Sequence, residues 1–416
     1  MRRTFARGLA ACCLILGATS FSALSARSIS LDELKVAVEE HPSLQQAQVS
    51  VDAARADLRE TARWNDPVLG LSTTWSESLE GDYLGQSKEV ELELDIPFPG
   101  RYRNAVAQAR ARLEASQLEV EDIRRELFSS LAARYWEIAR DEAWRQSLDL
   151  SRQALAQSLD IAKRRVELGE ARPVDLLRLE IELARLDGEL RAGIAESEAR
   201  RRNLARWLIL DADEELHVEA VFELPGEPLP FKELLARQER SHPQILAARS
   251  QGLAAEAGLR AESWGRIPDP SFRISAARES DAETIGLGIA FPLPLWKRNS
   301  PSVAAARAEV SAVHHESMRE RLELAEALET ARARLMSDRV IAATLKTEIL
   351  PKAARAAEVL ERMYEIGEVG VLEVIEARRD LMETELEGLD ALLSCHLAHL
   401  DLQTLTGECC HENENH

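Results

Sequence analysis

Between Arg101 and Leu168 the chain contains neither proline nor glycine, and that run leaves few folds open. Large apolar residues recur through it at helical spacing: Leu127, Leu131, Tyr135 and Ile138, then Leu148, Leu155, Leu159 and Val166. At 1.5 Å per residue one such helix is roughly 100 Å long, several times an ordinary globular helix. Gly169 supplies the left-handed residue that ends a helix, and Pro173 fits the first turn of the next, so the chain reverses there. Leu179, Leu183, Leu186, Leu190 and Ile194 carry the apolar stripe back along a returning arm. The pair is a rod-like hairpin with its tip at residues 169–173.

The 416 residues are 45% hydrophobic and 30% charged but only 5% aromatic, a composition of long helices. A formal net charge of −20 argues against a nucleic-acid partner, which requires a basic stripe, and suits a lumen that tolerates cations. Arg2, Arg3 and Arg7, the apolar run Leu9–Leu16 and the small residues of Ser20–Ala26 make residues 1–26 a secretory signal, cut after Ser25 or Ala26. Leu9-Ala10-Ala11-Cys12 also looks like a lipoprotein box, but Arg7 leaves a short apolar run before Cys12, which favours the later cut. No mature segment has about 18 uninterrupted apolar residues, so any membrane crossing falls to strands.

The remaining chain reads as one module used twice. Residues 27–210 hold a capping box at Ser30-Leu31-Asp32-Glu33, Glu-His-Pro at 40–42, Asp66-Pro67, alternating runs at about 68–77 and 88–96, and a helical hairpin over about 101–210. An acidic, proline-spotted segment, 211–230, connects the halves. Residues 231–407 repeat the order: Ser-His-Pro at 241–243, Asp269-Pro270, alternating runs at about 271–278 and 284–291, then a hairpin over about 302–407, leaving 408–416 as a tail. Landmarks in one order, offset by about 200 residues, mark a duplicated domain. Pro351 falls inside the second long arm and is expected to kink it, whereas its counterpart Gln153 is not.

Each module offers one two-stranded hairpin of membrane-crossing length. Val90, Leu92, Leu94 and Ile96 alternating with acids is the clearest of the four runs. Four strands cannot close a barrel, and open edges in lipid leave backbone groups unpaired at several kcal/mol each, so the chain must oligomerise to cross. Three copies give twelve strands. The plainer alternative is a small soluble sheet with one wet face.

The tip pattern Tyr364-Glu365-Ile366-Gly367 through Val371-Leu372-Glu373-Val374-Ile375-Glu376-Ala377, its echo Leu168-Gly169 through Val174-Asp175-Leu176-Leu177, and the Asp-Pro, strand-hairpin, long-helix order resemble the TolC family of trimeric outer-membrane efflux factors. Residues 289–299, IAFPLPLWKRN, are similar to its heavy-metal branch, the outer-membrane components of cobalt, zinc and cadmium resistance. The resemblance implies a mainly α fold with a small β part. Four transmembrane strands per chain complete a twelve-stranded barrel as a homotrimer, and duplicated helical hairpins form a tunnel through the periplasm. It implies helix tips at Leu168, Gly169, Glu170, Ile366, Gly367 and Glu368 that meet a periplasmic adaptor, served by a proton-driven inner-membrane pump. It also implies a periplasmic gate of acids, onto which Asp175, Glu373 and Glu376 map, with Arg178 at the remaining position. A ring of such carboxylates favours cations; the plainer reading is surface acids stabilising a helix start.

Cys395 and His399 lie four apart on one helix face, a spacing that can share a soft metal, and Cys409, Cys410 and His411 crowd the tail. A solvated tail with incidental ligands is the more common case. The chain carries no phosphate loop, nucleophile elbow or His-Glu zinc motif, so neither an enzyme nor a cofactor is expected. The expected function is the outer-membrane channel of a tripartite efflux system, passing substrate, with divalent heavy-metal cations as one candidate. Drug efflux or polypeptide secretion by the same kind of channel, and a soluble periplasmic coiled-coil spacer or adaptor, are the alternatives.

Overall fold

The computed structural model describes residues 27–77, 83–210, 216–218, 222–279, 282–293 and 300–407. The signal segment with Cys12, residues 294–299 of the heavy-metal motif, and the tail with Cys409, Cys410 and His411 lie outside the described residues. A short strand β1 (Arg27–Ile29) leads into α1 (Leu31–Glu39). The start of α1 is fixed reciprocally: the Glu33 amide donates to Ser30 Oγ at 3.4 Å, and the Ser30 amide to Glu33 Oε2 at 3.3 Å. Helix α2 (Pro42–Thr61) begins on His41, whose Nδ1 accepts from the Ser43 amide at 3.2 Å.

Strands β2 (Val68–Glu77) and β3 (Tyr83–Asp95) follow, then α3 (Pro99–Glu167), a single helix of 69 residues, and α4 (Pro173–Trp207). β3 begins five residues earlier than the alternation at 88–96 indicates, because Tyr83–Ser87 pairs with β2 through backbone bonds that need no apolar period. The connecting segment contributes β4 (Leu216–Val218), and the second module α5 (Phe231–Ser241), α6 (Pro243–Trp264), β5 (Ser271–Arg278), β6 (Glu283–Ala290), α7 (Ser300–Thr344), α8 (Leu350–Glu365) and α9 (Val371–Thr406).

The long arms are backed by shorter helices. α2, α6, α4 and α9 all pack on α3, and α6 and α9 pack on α7. Helix α6 runs against the start of α3, with Trp264 beside Gly100 and its indole 5.4 Å from the Phe98 ring. One core cluster forms a belt around Leu34, Leu44, Leu131, Ile138 and Leu204; another runs toward the tips through Leu148, Leu155, Leu179, Val374 and Met382. The belt also holds a parallel pair absent from the sequence reading. β4, inside the connecting segment, pairs with β1 (Arg27↔Leu216, Ile29↔Val218) and buries Ile29, Leu216 and Val218. Three residues are too few to show a period.

The second arm is interrupted where Pro351 directs. A single π turn, Leu345–Ile349, separates α7 from α8 immediately ahead of it. Proline lacks the amide that Thr347 would receive and crowds that carbonyl, and a π turn is one way a helix absorbs the mismatch. Thr344 and Thr347 also turn their hydroxyls back to the carbonyls of Val340 and Ala343 at 2.8 Å each. The first arm, with Gln153 at that place, is α-helical throughout.

Candidate functional site: an open sheet and paired helix tips

At one end of the rod the strands form a four-stranded antiparallel sheet in the order β2-β3-β5-β6. The register places Leu69 opposite Leu92, Leu71 opposite Val90, Leu92 opposite Ile274 and Ile274 opposite Leu287. Side chains alternate across a strand, so all of these share one face. Their exposure, 62% for Leu69, 74% for Leu71 and 75% for Leu287, shows that no helix covers it. The opposite face is polar: Arg273 forms ion pairs with Glu91 and Glu93, the latter at 3.3 Å. Gly70, Gly286 and Gly288 stand on that face among them. Among the described residues the outer edges of β2 and β6 have no strand partner, and the two strands run in opposite directions.

At the other end both hairpins turn by the same device. Gly169 (φ 79°) and Gly367 (φ 84°) take the left-handed conformation. The Glu170 amide reaches back to the Arg165 carbonyl at 2.7 Å, and the Glu368 amide to that of Met363 at 2.9 Å. This leaves Leu168 and Ile366 outward, 73% and 71% exposed, with Glu170 and Glu368 beside them. Arg165 ties the tips together: Nη1 donates to the Tyr364 carbonyl at 2.9 Å, and the guanidinium lies 5.5 Å from the Tyr364 ring centroid.

The three acids mapped to the gate differ in environment. Asp175 is largely covered and held by Arg172, whose Nε and Nη2 each donate to it at 3.1 Å. Glu373 and Glu376 are exposed and make no salt bridge among the described residues; with Asp380 they line the groove between α8 and α9. Just above, Glu182 of α4 is buried and takes Arg379 of α9 in a two-pronged pair that bridges the hairpins. Sequence reasoning missed Arg165, Arg172 and the Glu182–Arg379 pair. The first two lie within the tip motif, where basic residues close to a helix end were a usable signal; the third has none, since its members are 197 residues apart.

Cys395 is fully buried, and burial, followed by the nearby Asp338 carboxylate, pushes its thiol up to about 11. His399 instead lines a cavity with Trp136 and His396. Burial, followed by the neighbouring His399, lowers the His396 pKa to about 4. Among the described residues no three His, Cys, Asp or Glu side chains converge as a metal-holding group. His314 and His315 are exposed, their rings 5.9 Å apart.

No described helix is long and apolar enough to cross a membrane. An uncovered apolar sheet face with two open edges, carried on paired rods whose tips lie at the far end, is the architecture of an outer-membrane conduit component. The family model for the outer membrane efflux protein matches residues 34–200 and 234–408, one stretch in each module, and the chain belongs to that family. It is an outer-membrane efflux channel component, of a family that transports and does not catalyse. It is 24% identical, over 328 residues, to the cobalt-zinc-cadmium resistance protein CzcC of Cupriavidus metallidurans, covering 77% of each chain. Its fold is that of the transmembrane channel CusC (TM-score 0.74, 19% identity, 91% of this chain and 92% of that one). The outer-membrane channel CmeC of Campylobacter jejuni is similar as well (TM-score 0.73, 14% identity, 100% and 96%).

Proposed function

We propose that three copies of this chain, exported with loss of residues 1–26, join their sheets edge to edge into a twelve-stranded barrel and their hairpins into a tunnel that conducts divalent heavy-metal cations. The observation that carries this reading is the sheet. Its apolar face matches lipid, its polar face suits a wet lumen, and the opposite directions of β2 and β6 let each copy continue the next in an antiparallel ladder. A soluble spacer has no use for such a face. The cation preference is supported by the likeness to CzcC and by the exposed Glu373 and Glu376, which three-fold symmetry repeats around one axis. Asp175, already paired with Arg172, contributes shape more than charge to that entrance. Leu168, Gly169, Glu170, Ile366, Gly367 and Glu368 form the surface for a periplasmic adaptor, through which an inner-membrane pump, proton-driven, delivers substrate. Substrate movement takes its energy from the pump, so this chain needs no cofactor.

Deletion followed by growth tests across divalent metals and lipophilic drugs tests the substrate. Loss of zinc, cobalt or cadmium tolerance is expected; unchanged metal tolerance with lost drug tolerance would transfer the chain to drug export. In planar bilayers, Glu373→Gln with Glu376→Gln should lower cation selectivity, and unaltered selectivity would return both acids to the role of helix-start stabilisers.

A further inference from the structure

Near the middle of α3, where α9 and the segment preceding α5 lie against it, is a cavity of about 350 Å³. Its walls are largely apolar, and its polar lining is Glu223, His396, His399 and Gln403. His396 and His399 are three residues apart on α9, so they occupy neighbouring positions on one face. The His396 ring is fixed in place, stacked on Trp136 at a centroid distance of 3.7 Å and 15°, with Phe222 edge-on at 5.5 Å. Its Nε2 is buried and has no hydrogen-bond partner. The Glu223 backbone lies beside the ring and favours its protonated form, a smaller effect than burial.

A ring held by stacking, with a buried nitrogen that has no partner, in a cavity that a second imidazole also lines, brings together the parts of a metal site. An orphaned buried ring nitrogen is otherwise costly to keep. The geometry points to His396 and His399 as a two-imidazole site for a borderline divalent cation of the zinc and nickel kind. Imidazole suits such ions, whereas calcium and magnesium demand oxygen ligands. With no third His, Cys, Asp or Glu grouped there among the described residues, water completes the coordination, and the ion exchanges readily where a structural zinc would be sealed in. Cys395, on the same helix, is not part of this lining. The site goes beyond the conduit reading, because binding here stands or falls whatever the pore exports.

The test uses the full chain in detergent, with Cys409→Ser, Cys410→Ser and His411→Gln removing competing ligands in the tail. Titration calorimetry with zinc chloride should give one ion per chain. His396→Gln with His399→Gln should weaken it by at least the roughly 10–100-fold that even an outer partner of a metal ligand is worth. Nickel should quench the Trp136 emission, and Trp136→Phe should remove that part of the quench while zinc still binds. His399→Gln alone, which leaves the Trp136–His396 stack intact, guards against a folding defect and should weaken zinc as well. Zinc binding as tight in His399→Gln and in the double variant as in the parent, or no zinc binding by the parent, overturns the assignment.

Discussion

Replacing Arg379 with methionine isolates a two-pronged ion pair that ties the first hairpin to the second just above the tips. Glu182 is 6% exposed, and it receives Arg379 Nε at 2.6 Å on one carboxylate oxygen and a second guanidinium nitrogen on the other. Two unit charges about 4 Å apart interact by roughly 4 kcal/mol at an effective dielectric constant of about 20. Removing one partner of a buried pair costs about 3–5 kcal/mol, and an exposed pair is worth about 1 or less. Here the acid is buried but the Arg379 side chain is 49% exposed, and Arg185 stands 3.5 Å away as a partial substitute. The expected loss is therefore about 2 kcal/mol, between those limits. Unfolding entropy of about 2.1 cal/mol/K per residue makes that a fall of roughly 2–3 °C in the melting temperature of a chain this long. Circular dichroism at 222 nm on detergent-solubilised protein reads it. Adding Glu182→Gln to Arg379→Met removes the stranded charge, so the double variant should melt closer to the parent than Arg379→Met does. A parent-like melt for Arg379→Met, or strictly additive losses in the double variant, would refute this account of what joins the hairpins.

The tip glycines separate backbone strain from contact. Gly169→Ala meets nothing within 4 Å and should cost only the roughly 1–2 kcal/mol of a left-handed alanine, whereas Gly367→Ala also meets Arg165 Nη2 at 3.0 Å and should cost more in the same melt. His242, buried 3.3 Å from Arg125, which in turn holds Asp122, has its pKa lowered to about 3 by burial first and by Arg125 second. The unfolded chain binds the proton more readily, so stability is complete above about 6.5 and falls as pH drops toward 3; His242→Gln should flatten that slope in melting temperature against pH. Cys395 should resist maleimide at pH 8 in a Cys409→Ser, Cys410→Ser chain until denaturant is added, since its thiol is buried and raised to about 11.

Local features carried the architecture. The proline-free run before Leu168 and the glycines at 169 and 367 suffice for two arms and two tips, because helix continuation and helix termination are decided within a turn or two of chain. Val90 and Leu92 carry enough alternation to make β3 a strand with one apolar face. Pro351 announced a break but not its form, one π turn immediately ahead of it. The strand pair β1–β4 was illegible, being two three-residue pieces 187 residues apart whose only signal is their burial together.

The candidate site divides along the same line. Sequence alone determined that Glu373 and Glu376 start a helix after a tip, and that Cys395 and His399 share a helix. How a buried acid is satisfied, and how a histidine ring is held, are properties of neighbours brought from elsewhere in the chain: Arg379 reaching Glu182 and Trp136 stacking on His396. Backbone propensity acts over a few residues and can be read in order. Charge and ligand character depend on distance in space, and only the packed hairpins set those distances.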